Sequence, residues 1–580
     1  MFNQLPISQY LPQVSDYLSQ HNNLVLQAEP GAGKSTALPL SLINEAWLAN
    51  KTIIMLEPRR LAAKSIAYYL AKQLGEQVGQ TVGYQIKNDR KISSHTKLEI
   101  VTEGILTRRI QNDPELSTIG LIIFDEFHER SLHGDLALLL ALEIQASLRD
   151  ELRLLVMSAT IDTDKIASYL THAKIIKCPG RQFPVEVNYL SDDKHYLSQF
   201  VIKALYKAFA LKDQGDILIF LPGQAEIKNC LSQAQEHFSD HNNWLFLPLY
   251  GALSIAQQEQ VLTKKSPKQR RIIFTTNIAE TSLTIDGITC VIDSGLEKIA
   301  LYDPVSNMTR LVTQYISKAS AEQRKGRAGR LQNGHCIRLW SASKHQSLIE
   351  FQQEEIRVAD LANLLLELFV WGQTDFQTIN WLTPPPKANF DTAKQLLLSL
   401  GLIGNSNQVT KLGNSITTLG LEPRLATMVL KAKQGIAQDI ACLLATLLST
   451  TDIFYGNQGA DIIERLLALT DYQVNKRQAI NNLPIKDKLV EQVISSTKSL
   501  RKTLKLPIST AKISLSELQV HVGPLLLIAY PERLAKQRHD NSHRYQLANG
   551  RGVFLHQQDS LFNTPWLVVS DCNAQKQEGL

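Results

Sequence analysis

The sequence predicts an α/β protein with two parallel sheets in succession, followed by a helical region and a short β-rich end. Three observations lead to this prediction. Up to about residue 345, short apolar runs typical of buried strands alternate with segments of helical spacing, which implies parallel sheets flanked by helices. The alternation restarts near Cys178. From about Glu354 helix-like sequence dominates, at 361–368, 393–402, 425–448 and 462–504, and three short strand-like runs with turn signals follow at 545–547, 552–555 and 566–569.

The composition is that of an ordinary globular protein of the cytoplasm. The 580 residues, 44% hydrophobic and 20% charged, allow about three to five domains. A net charge of +6 permits a polyanionic partner without demonstrating one. The six cysteines are far apart, which predicts reduced thiols and argues against a disulfide or zinc framework. Because no secretory pattern and no apolar segment of roughly 20 residues is present, we expect no membrane association.

A turn of small residues between a strand-like and a helix-like segment predicts a phosphate site. It reads Ala28-Glu29-Pro30-Gly31-Ala32-Gly33-Lys34-Ser35-Thr36. Its small residues let backbone N–H groups close on phosphate oxygens, Lys34 reaches the β- and γ-phosphates, and the Ser35 hydroxyl is placed for Mg²⁺. Ala28 stands where this pattern has its first glycine, so the cradle must tolerate one methyl group. The alternative is a glycine-rich turn without a ligand, and the clusters downstream disfavour it.

Polar clusters also follow the later apolar strands, where parallel sheets bind their ligands. Asp125 and Glu126 follow one such strand in the same α/β unit as Lys34. We expect Asp125 to hold Mg²⁺ and Glu126 to orient or deprotonate the attacking water. The alternative, a solvated surface pair, fits poorly with a position directly after an apolar strand.

The second α/β unit has no phosphate cradle but carries a cluster of arginines. It ends in Gln323-Arg324-Lys325-Gly326-Arg327-Ala328-Gly329-Arg330. Arg327 and Arg330 can stabilise the charge that develops on a transferred phosphoryl group, as an arginine finger does, whereas a basic surface patch is the alternative. The second unit is therefore expected to complete the site of the first, so that hydrolysis responds to closure of the two domains.

Taken in order, these clusters resemble the motifs of the DEAH-box helicases of superfamily 2, and the resemblance spans nearly the whole chain. The motifs that carry it are Gly31–Thr36, Pro58-Arg59-Arg60, Thr102-Glu103-Gly104, Asp125-Glu126-Phe127-His128, Ser158-Ala159-Thr160, Thr276–Ser282 and Gln323–Arg330. Phe127, Trp371-Gly372 and Asn549-Gly550-Arg551-Gly552 are similar to the bacterial HrpB-like branch.

The resemblance implies tandem RecA-like P-loop domains, over residues 1–178 and 179–345. It further implies a winged-helix domain over 346–420, a ratchet-like helical bundle over 421–520 and an OB-like β region over 521–580. We expect this last region to be incomplete at Leu580, because proteins of this branch usually continue further.

The resemblance also assigns roles around ATP and Mg²⁺. Phosphates and Mg²⁺ would be bound by the cradle, which consists of Gly31, Ala32, Gly33, Lys34, Ser35 and Thr36. Asp125 would hold Mg²⁺ through water, and Glu126 would be the catalytic base. Gln323, Arg327 and Arg330 would reach the γ-phosphate, and Asp286 would approach the ribose.

Other motif residues would contact nucleic acid or respond to it. Arg59, Arg60, Thr102 and Thr276 lie where the family grips the nucleic-acid backbone, which suits donors that bind phosphates and not bases. The two threonines could instead cap turns at strand ends. His128, Ser158 and Thr160 look like the family's link between hydrolysis and strand movement, and the segment 296–315 lies where the family carries a strand-separating β-hairpin.

One departure concerns the base of the nucleotide. Eukaryotic relatives stack adenine between an arginine and a phenylalanine, and the corresponding positions here are Tyr69 and Leu296. We expect Tyr69 to stack on the base and Leu296 to give only apolar contact, which predicts weak discrimination among nucleoside triphosphates. Alternatively, Tyr69 is simply a half-buried helix residue.

The sequence thus predicts an ATP-dependent helicase that moves along single-stranded nucleic acid, which we expect to be RNA, as a cytoplasmic monomer. Two alternatives stay open. One is a DNA-acting translocase, because a grip on the backbone does not reveal the sugar unless a 2′-hydroxyl is contacted. The other is a nucleotide-gated clamp that remodels RNA–protein complexes without unwinding duplexes.

Overall fold

The computed structural model describes most of the chain in two compact units. The described residues are 5–572 except 30, 88, 160–162, 181–182, 191–195, 212–214, 241–242, 264–268, 281–284, 331, 457–458, 476–483, 508–512 and 540–541. The first unit comprises Met1–Leu301, Leu311–Ala359 and Asn380–Pro384. The second comprises Tyr302–Arg310, Asp360–Ile379 and Pro385–Leu580.

The first unit begins with an α/β domain built on an eight-stranded sheet. Its elements are α1 (Leu11–Gln20), β1 (Asn23–Ala28), α2 (Ala37–Leu42), β2 (Thr52–Glu57), α3 (Arg60–Gln73), β3 (Val82–Ile86), β4 (Asp89–Lys91), β5 (Leu98–Thr102), α4 (Glu103–Asn112), β6 (Ile119–Phe124), α5 (Leu132–Ser147), β7 (Arg153–Ser158), α6 (Thr163–Tyr169) and β8 (Lys174–Cys178).

The strand order of this sheet brings the predicted site residues to one edge. The order is β4-β3-β5-β2-β6-β7-β1-β8, and only β4 is antiparallel to its neighbour. The central strands are continuous apolar runs because helices cover both faces of a parallel sheet; every residue of β6 is buried. The carboxyl ends of β1, β2, β6 and β7 are therefore neighbours, as the sequence analysis required.

The first unit continues with a second α/β domain. Its elements are β9 (Val185–Tyr189), α7 (Leu197–Ala210), β10 (Asp216–Phe220), α8 (Gln224–His237), β11 (Trp244–Leu249), α9 (Ile255–Leu262), β12 (Arg270–Thr275), β13 (Ile288–Asp293), β14 (Leu296–Asp303), β15 (Met308–Tyr315), α10 (Lys318–Lys325), β16 (Gly334–Arg338), α11 (Ala342–Gln346) and α12 (Glu355–Val358). Six of these strands form a parallel sheet of order β11-β12-β10-β13-β16-β9.

The two edge strands of this sheet were not predicted from the sequence. In β9 polar residues separate the apolar ones, and the strand is half-buried or exposed, so it shows no continuous apolar run. The other edge strand, β11, is an apolar run that the sequence analysis did not use. The segment 296–315 forms a hairpin of β14 and β15, as the family resemblance implied. The tip of this hairpin, Tyr302–Arg310, belongs to the second unit.

The second unit is mainly helical. Its helices are α13 (Ala362–Trp371), α14 (Lys387–Leu400), α15 (Lys411–Thr417), α16 (Pro423–Lys431), α17 (Ile436–Leu448), α18 (Ile462–Asn475), α19 (Asp487–Thr503) and α20 (Leu515–Ala529). Apolar residues of α16 to α20 share one core, which includes Met428, Leu444, Leu466, Val493 and Leu526.

Helix ends in this unit differ from the predicted spans for local reasons. The predicted helix 361–368 extends to Trp371, where Gly372 ends it at φ +103°. The predicted helix 393–402 instead begins at Lys387, directly after Pro386, and stops before Gly401, whose φ is +75°. The segment 462–504, predicted as bundle sequence, contains two helices, α18 and α19, and Pro484 precedes the second.

The second unit ends in a four-stranded antiparallel sheet. Its strands are β17 (Leu534–Gln537), β18 (Arg544–Leu547), β19 (Gly552–Phe554) and β20 (Trp566–Val568). The sequence analysis identified three of them and missed β17, in which only Ala535 is buried, so that no alternating pattern marks it. The hairpin tip packs on this sheet: Met308 joins its apolar core, and Arg533 donates a hydrogen bond to the Asn307 carbonyl at 2.7 Å.

Candidate nucleotide site

The phosphate cradle follows β1 and precedes α2, as predicted. Gly31 and Gly33 have φ values of +85° and +94°, a left-handed region that glycine adopts without strain. A Cβ on Gly33 would lie 2.8 Å from Leu5 Cδ1, whereas one on Gly31 would meet open space. Ala28 is the last residue of β1 and is fully buried in the apolar core, so its methyl group is accommodated within the sheet domain.

The N-terminal segment supports this cradle, which the sequence analysis did not foresee. The Ile7 N–H donates to the Ala32 carbonyl at 3.0 Å, and Ile7 itself is fully buried. Leu5 packs against the same core. Ser35 and Thr36 are half-buried at the far end of the cradle. A strand-and-helix pattern does not reveal such a contact, because it comes from a segment that precedes β1.

Lys34 lies between the two carboxylates that follow β6. Its Nζ is 3.0 Å from Glu126 Oε1 and 3.6 Å from Asp125 Oδ1, and the residue is 4% exposed. Burial lowers the pKa of Lys34, but the charges of Glu126 and Asp125 outweigh it and the pKa is raised. Lys34 is therefore a buried ammonium held by carboxylates near the mouth of the cradle.

The loop from Asp125 to Arg130, here called the catalytic loop, has an unusual backbone. Glu126 and Arg130 have φ values of +48° and +44°, and a 3₁₀ turn lies between them. Each such conformation costs a non-glycine residue about 1–2 kcal/mol. At the first position the Asp125 carboxylate accepts a hydrogen bond from the Glu126 N–H at 2.8 Å. This backbone conformation places the Glu126 side chain toward Lys34.

Electrostatics keep Glu126 ionised. Burial opposes ionisation, but the Lys34 ammonium, followed by His128 and Arg327, holds the pKa of Glu126 at about 2. His128 Nε2 lies 3.4 Å from Glu126 Oε2, and burial lowers the pKa of this ring. The carboxylate is thus available to accept a proton or to orient a water molecule.

The arginines of the second α/β domain lie close enough to affect this carboxylate. Arg327 is 4% exposed and its Nε donates to the Glu280 carbonyl at 3.0 Å. Burial, with Arg330 close by, lowers the pKa of Arg327, and Glu126 opposes this. Burial also lowers the pKa of Arg330, and the charges of Glu126 and Asp286 oppose this. Glu126 thus interacts electrostatically with Arg327 and Arg330, and Arg330 with Asp286, while Gln323 lies half-buried on α10.

Two buried residues of this site had no role in the sequence analysis. Glu57 ends β2 and is 1% exposed; burial, then the adjacent Asp125, raises its pKa well above its usual range. Arg324 donates to Glu280 Oε2 at 2.8 Å and to Asp293 Oδ1 at 2.9 Å, and lies over the Phe220 ring. Arg324 belongs to the motif Gln323–Arg330 and Glu57 directly precedes the motif Pro58-Arg59-Arg60, but local spacing does not identify their distant partners.

The predicted nucleic-acid residues lie in different environments. Arg59 is already engaged: it donates to the carbonyls of Asn277 and Ile278 at 3.1 and 2.8 Å and lies 3.1 Å from Glu129 Oε1. Arg60 is exposed at the first turn of α3. Thr102 and Thr276 are half-buried at the ends of β5 and β12, without a side-chain helix cap.

The remaining predicted residues are placed as follows. Ser158 ends β7 and is fully buried, and Thr160 lies outside the described residues. Tyr69 is 45% exposed on α3, and Leu296 is half-buried at the start of β14. Asp286 is exposed, and its carbonyl accepts a hydrogen bond from Arg271 at 2.7 Å.

The residues present fit ATP and Mg²⁺. Gly31 leaves open space at the cradle, and Asp125 Oδ2 is buried without a hydrogen-bond partner among the described residues. Ser35 and Asp125 supply hard oxygen donors, which suit Mg²⁺. Within the described part of the chain, no group of three or more His, Cys, Asp or Glu side chains forms a metal cluster, and no helix is long and apolar enough to span a bilayer.

Fold and site together define a class. A parallel sheet with a phosphate cradle and an adjacent Asp-Glu pair, completed by arginines that follow a helix of a second α/β domain, is the architecture of a two-domain P-loop nucleoside triphosphatase. The DEAD/DEAH box helicase profile matches residues 9–168, and the helicase conserved C-terminal domain profile matches residues 200–332.

Comparison with known proteins gives the family. The chain is 38% identical to the ATP-dependent RNA helicase HrpB of Escherichia coli over 97% of its own length and 66% of the relative's. It is 35% identical to the human probable ATP-dependent RNA helicase DHX34, over 78% of this chain and 40% of that protein. The crystal structure of the Escherichia coli DEAH/RHA helicase HrpB superposes with a TM-score of 0.85, covering 97% of this chain and 68% of that one.

The chain belongs to the DEAH-box helicase family, in its HrpB-like branch. The predictions of this family and of tandem RecA-like domains are confirmed. The chain spans about two thirds of the length of the Escherichia coli relative and less than half of the human one.

Proposed function

We propose that this chain is an ATP-dependent RNA helicase that hydrolyses ATP between its two RecA-like domains and moves along single-stranded RNA. The single observation that carries the proposal is the environment of Glu126. Lys34 of the first domain and Arg327 of the second both lower the pKa of its carboxylate, so the two domains converge on one acid. The names of the relatives, which are RNA helicases, support RNA over DNA.

Binding would begin at the cradle. Backbone N–H groups of Gly31 to Ser35 would donate to phosphate oxygens, and Lys34 would exchange its carboxylate partners for the β- and γ-phosphates. Ser35 and Asp125 would hold Mg²⁺, the latter through water. The bound ion would neutralise charge on the phosphates, as it does in P-loop enzymes generally.

Hydrolysis would then depend on Glu126. The Lys34 ammonium is the largest influence lowering its pKa, so movement of Lys34 to the phosphates raises the proton affinity of this carboxylate. Glu126 would take a proton from water while Arg327 and Arg330 stabilise the charge on the transferred phosphoryl group, with Gln323 orienting the water or γ-phosphate. His128, Ser158 and Thr160 would relay the nucleotide state to the RNA.

RNA would be bound through its phosphates by Arg60, Thr102 and Thr276, whose exposed or half-buried positions support this role. Arg59 would join them only after leaving the carbonyls of Asn277 and Ile278. We expect a cytoplasmic monomer. The division into winged-helix, ratchet-like and OB-like regions is supported by the shared core of α16 to α20 and by the terminal four-stranded sheet.

We further propose a loose base clamp. Tyr69 is 45% exposed on α3 and is free to stack, whereas Leu296 offers only apolar contact. Turnover of ATP and GTP should therefore be similar. A strong preference for ATP that disappears in Tyr69→Ala would reject the loose clamp and keep stacking. Tyr68→Ala is the control, because Tyr68 is equally exposed but its hydroxyl accepts a hydrogen bond from Lys91.

The decisive experiment measures ATP hydrolysis with and without RNA and DNA oligonucleotides, together with displacement of a strand from duplexes that carry a 3′ overhang. An RNA helicase is stimulated by RNA and displaces RNA duplexes. Displacement of DNA alone would indicate a DNA translocase. Stimulation by RNA without displacement would indicate a clamp.

Glu126→Gln tests the catalytic assignment directly. The variant should bind a fluorescent ATP analogue as tightly as the wild type but lose at least about a hundredfold in kcat, because the amide accepts no proton. Asp150→Asn, at an exposed position in the same domain, is the matched control and should keep wild-type turnover. Normal turnover in Glu126→Gln would refute the assignment.

A further inference from the structure

We propose that Arg130 is a positioning residue that fastens the catalytic loop to two short stretches, 354–355 and 380–384, and so makes hydrolysis depend on them. We call this set of contacts the Arg130 clasp. The inference rests on the proposed function, because it concerns the turnover of the same site. The evidence for it consists of the contact distances around Arg130 and of the points at which the chain passes from one unit to the other.

The catalytic loop needs support at its second end. Its two left-handed residues, Glu126 and Arg130, store strain that persists only where the surroundings hold them. The first is held by the Asp125 carboxylate. At the second, the Arg130 N–H donates to the Phe127 carbonyl at 3.0 Å and the guanidinium lies 5.8 Å from the centroid of the Phe127 ring. The side chain of Arg130, however, makes its hydrogen bonds to Asp135 and Thr383, outside the loop.

The Arg130 guanidinium is buried in a dense set of polar contacts. Its Nε and Nη2 donate to the two carboxylate oxygens of Asp135 at 2.8 Å each, a bidentate pair with the first turn of α5. The same Nη2 donates to Thr383 Oγ1 at 3.0 Å. Nη1 lies 3.7 Å from Glu354 Oε1, and Arg130 is only 7% exposed.

The backbone around Arg130 is held by the neighbouring stretch. The Glu355 N–H donates to the Arg130 carbonyl at 3.2 Å, and the Leu132 N–H donates to Glu355 Oε2 at 2.7 Å. Thr383 in turn donates to Glu354 Oε1 at 3.1 Å. Residues 354–355 and 383 thus hold both the main chain and the side chain of the position that ends the catalytic loop.

Helix α6, which follows the Ser158 motif, contacts the same stretches. Lys165 Nζ donates to Thr383 Oγ1 at 3.0 Å, and the Tyr169 hydroxyl donates to the Asn380 carbonyl at 2.6 Å. Two motif segments that we assign to hydrolysis and its coupling are therefore tied to residues 380–383. Neither tie is visible in local sequence, because the partners are more than 200 residues apart.

The two stretches 354–355 and 380–384 lie close to the points where the chain passes between the two units. The chain leaves the first unit after Ala359, returns at Asn380 and leaves again after Pro384. Every contact of the clasp lies within the first unit, but each of its two stretches continues directly into the second. A displacement of either stretch would remove part of what holds Arg130, leaving its pair with Asp135, and would loosen the strained backbone of the catalytic loop.

The test compares Arg130→Gln and Thr383→Val with a matched control in the full chain. Arg149→Gln is the control because Arg149 lies just beyond the other end of α5, is 8% exposed, and donates to the carbonyls of Glu115, Leu116 and Ile119. Each variant is measured for thermal midpoint, binding of a fluorescent ATP analogue, and kcat and KM with and without RNA.

Arg130→Gln should lower kcat at least about tenfold while KM and analogue binding stay within about threefold, because loop geometry and not the cradle is disturbed. Thr383→Val should lower kcat about two- to fivefold, and the double variant should be no slower than Arg130→Gln alone, since both act through one clasp. Arg149→Gln should lose thermal stability but keep kcat within about twofold.

The outcomes separate the two proposals. A wild-type chain that hydrolyses no nucleoside triphosphate overturns the proposed function and the clasp together. An active wild type overturns the clasp alone if Arg130→Gln matches Arg149→Gln in kcat, or if the effects of Arg130→Gln and Thr383→Val on kcat multiply. A kcat loss confined to the clasp variants supports it.

Discussion

Glu103 illustrates how neighbouring residues change the chemistry of a single side chain. It begins α4, and its carboxylate accepts a hydrogen bond from Ser131 Oγ at 2.6 Å. The residue as a whole is half-buried, but its carboxyl lies against Ser131 and Gly134. Burial raises the pKa of Glu103 to about 7, and the negative charges of Glu129, Glu355 and Asp135 add to the effect of burial.

This pKa predicts a pH-dependent stability. The folded chain keeps the Glu103 proton up to about pH 7, whereas the unfolded chain loses it near the ordinary value of 4.5. The folded state therefore binds more protons between these values, and the free energy of unfolding should fall as pH rises through that window, by about 3 kcal/mol. Glu103→Gln should remove this decline. Urea unfolding from pH 5 to pH 8 checks it, and parallel curves for wild type and variant would contradict it.

Helix α10 is held in its position by the buried ion pairs of one arginine. The helix carries Gln323 and Arg324, and it leads into Arg327 and Arg330. Arg324 is 1% exposed and bridges Glu280 and Asp293, which lie after β12 and at the end of β13. Arg324 thus fixes the helix that leads into Arg327 and Arg330. It does not itself interact with Glu126, whereas Arg327 and Arg330 do. A resemblance of motifs alone does not distinguish these two functions within one cluster.

Replacement of Arg324 by methionine should lower the free energy of unfolding. Removal of one partner leaves two buried carboxylates uncompensated, which destabilises a fold by about 3–5 kcal/mol. Lys325→Met is the matched control, because its pair with Glu322 is partly exposed and should contribute less than about 1 kcal/mol. Urea unfolding measures both variants. Equal losses would show that α10 is held by other contacts.

For the molecule as a whole, the binding of a polyanion depends more on where the positive charges lie than on the net charge. A net charge of +6 in 580 residues is small, so attraction to a polyanion must come from local groups. Arg59 is engaged by protein carbonyls and Glu129, whereas Arg60 at the start of the same helix is exposed. Arg60 is therefore the cationic residue of this motif that we propose to bind phosphate.

The salt dependence of RNA binding should reveal this contact. Log affinity for a single-stranded oligonucleotide falls with log salt by about 0.7 for each phosphate neutralised. Arg60→Gln should reduce the slope by about that amount, and Lys72→Gln, at the exposed far end of α3, should leave it unchanged. Fluorescence anisotropy at several salt concentrations measures the slopes. Equal slopes for Arg60→Gln and wild type would remove Arg60 from the interface.

The sequence by itself determined the family, the two parallel sheets and the order of the motifs at their strand ends. It could do so because buried strands, glycine turns and helix caps are written in residues close together along the chain. It also indicated that Lys34, Asp125 and Glu126 share one edge of a sheet, since the carboxyl ends of parallel strands meet there.

Only the tertiary structure decided which buried groups pair across the chain. Arg130 meets Thr383 across 253 residues, and Arg59 meets Ile278 across 219. The edge strand β9 and the short strand β17 are likewise defined by the strands they pair with and not by a continuous apolar run. The reason is physical: a buried charge or a half-exposed strand is stabilised by whichever partner the fold brings to it, and local spacing carries no record of that partner.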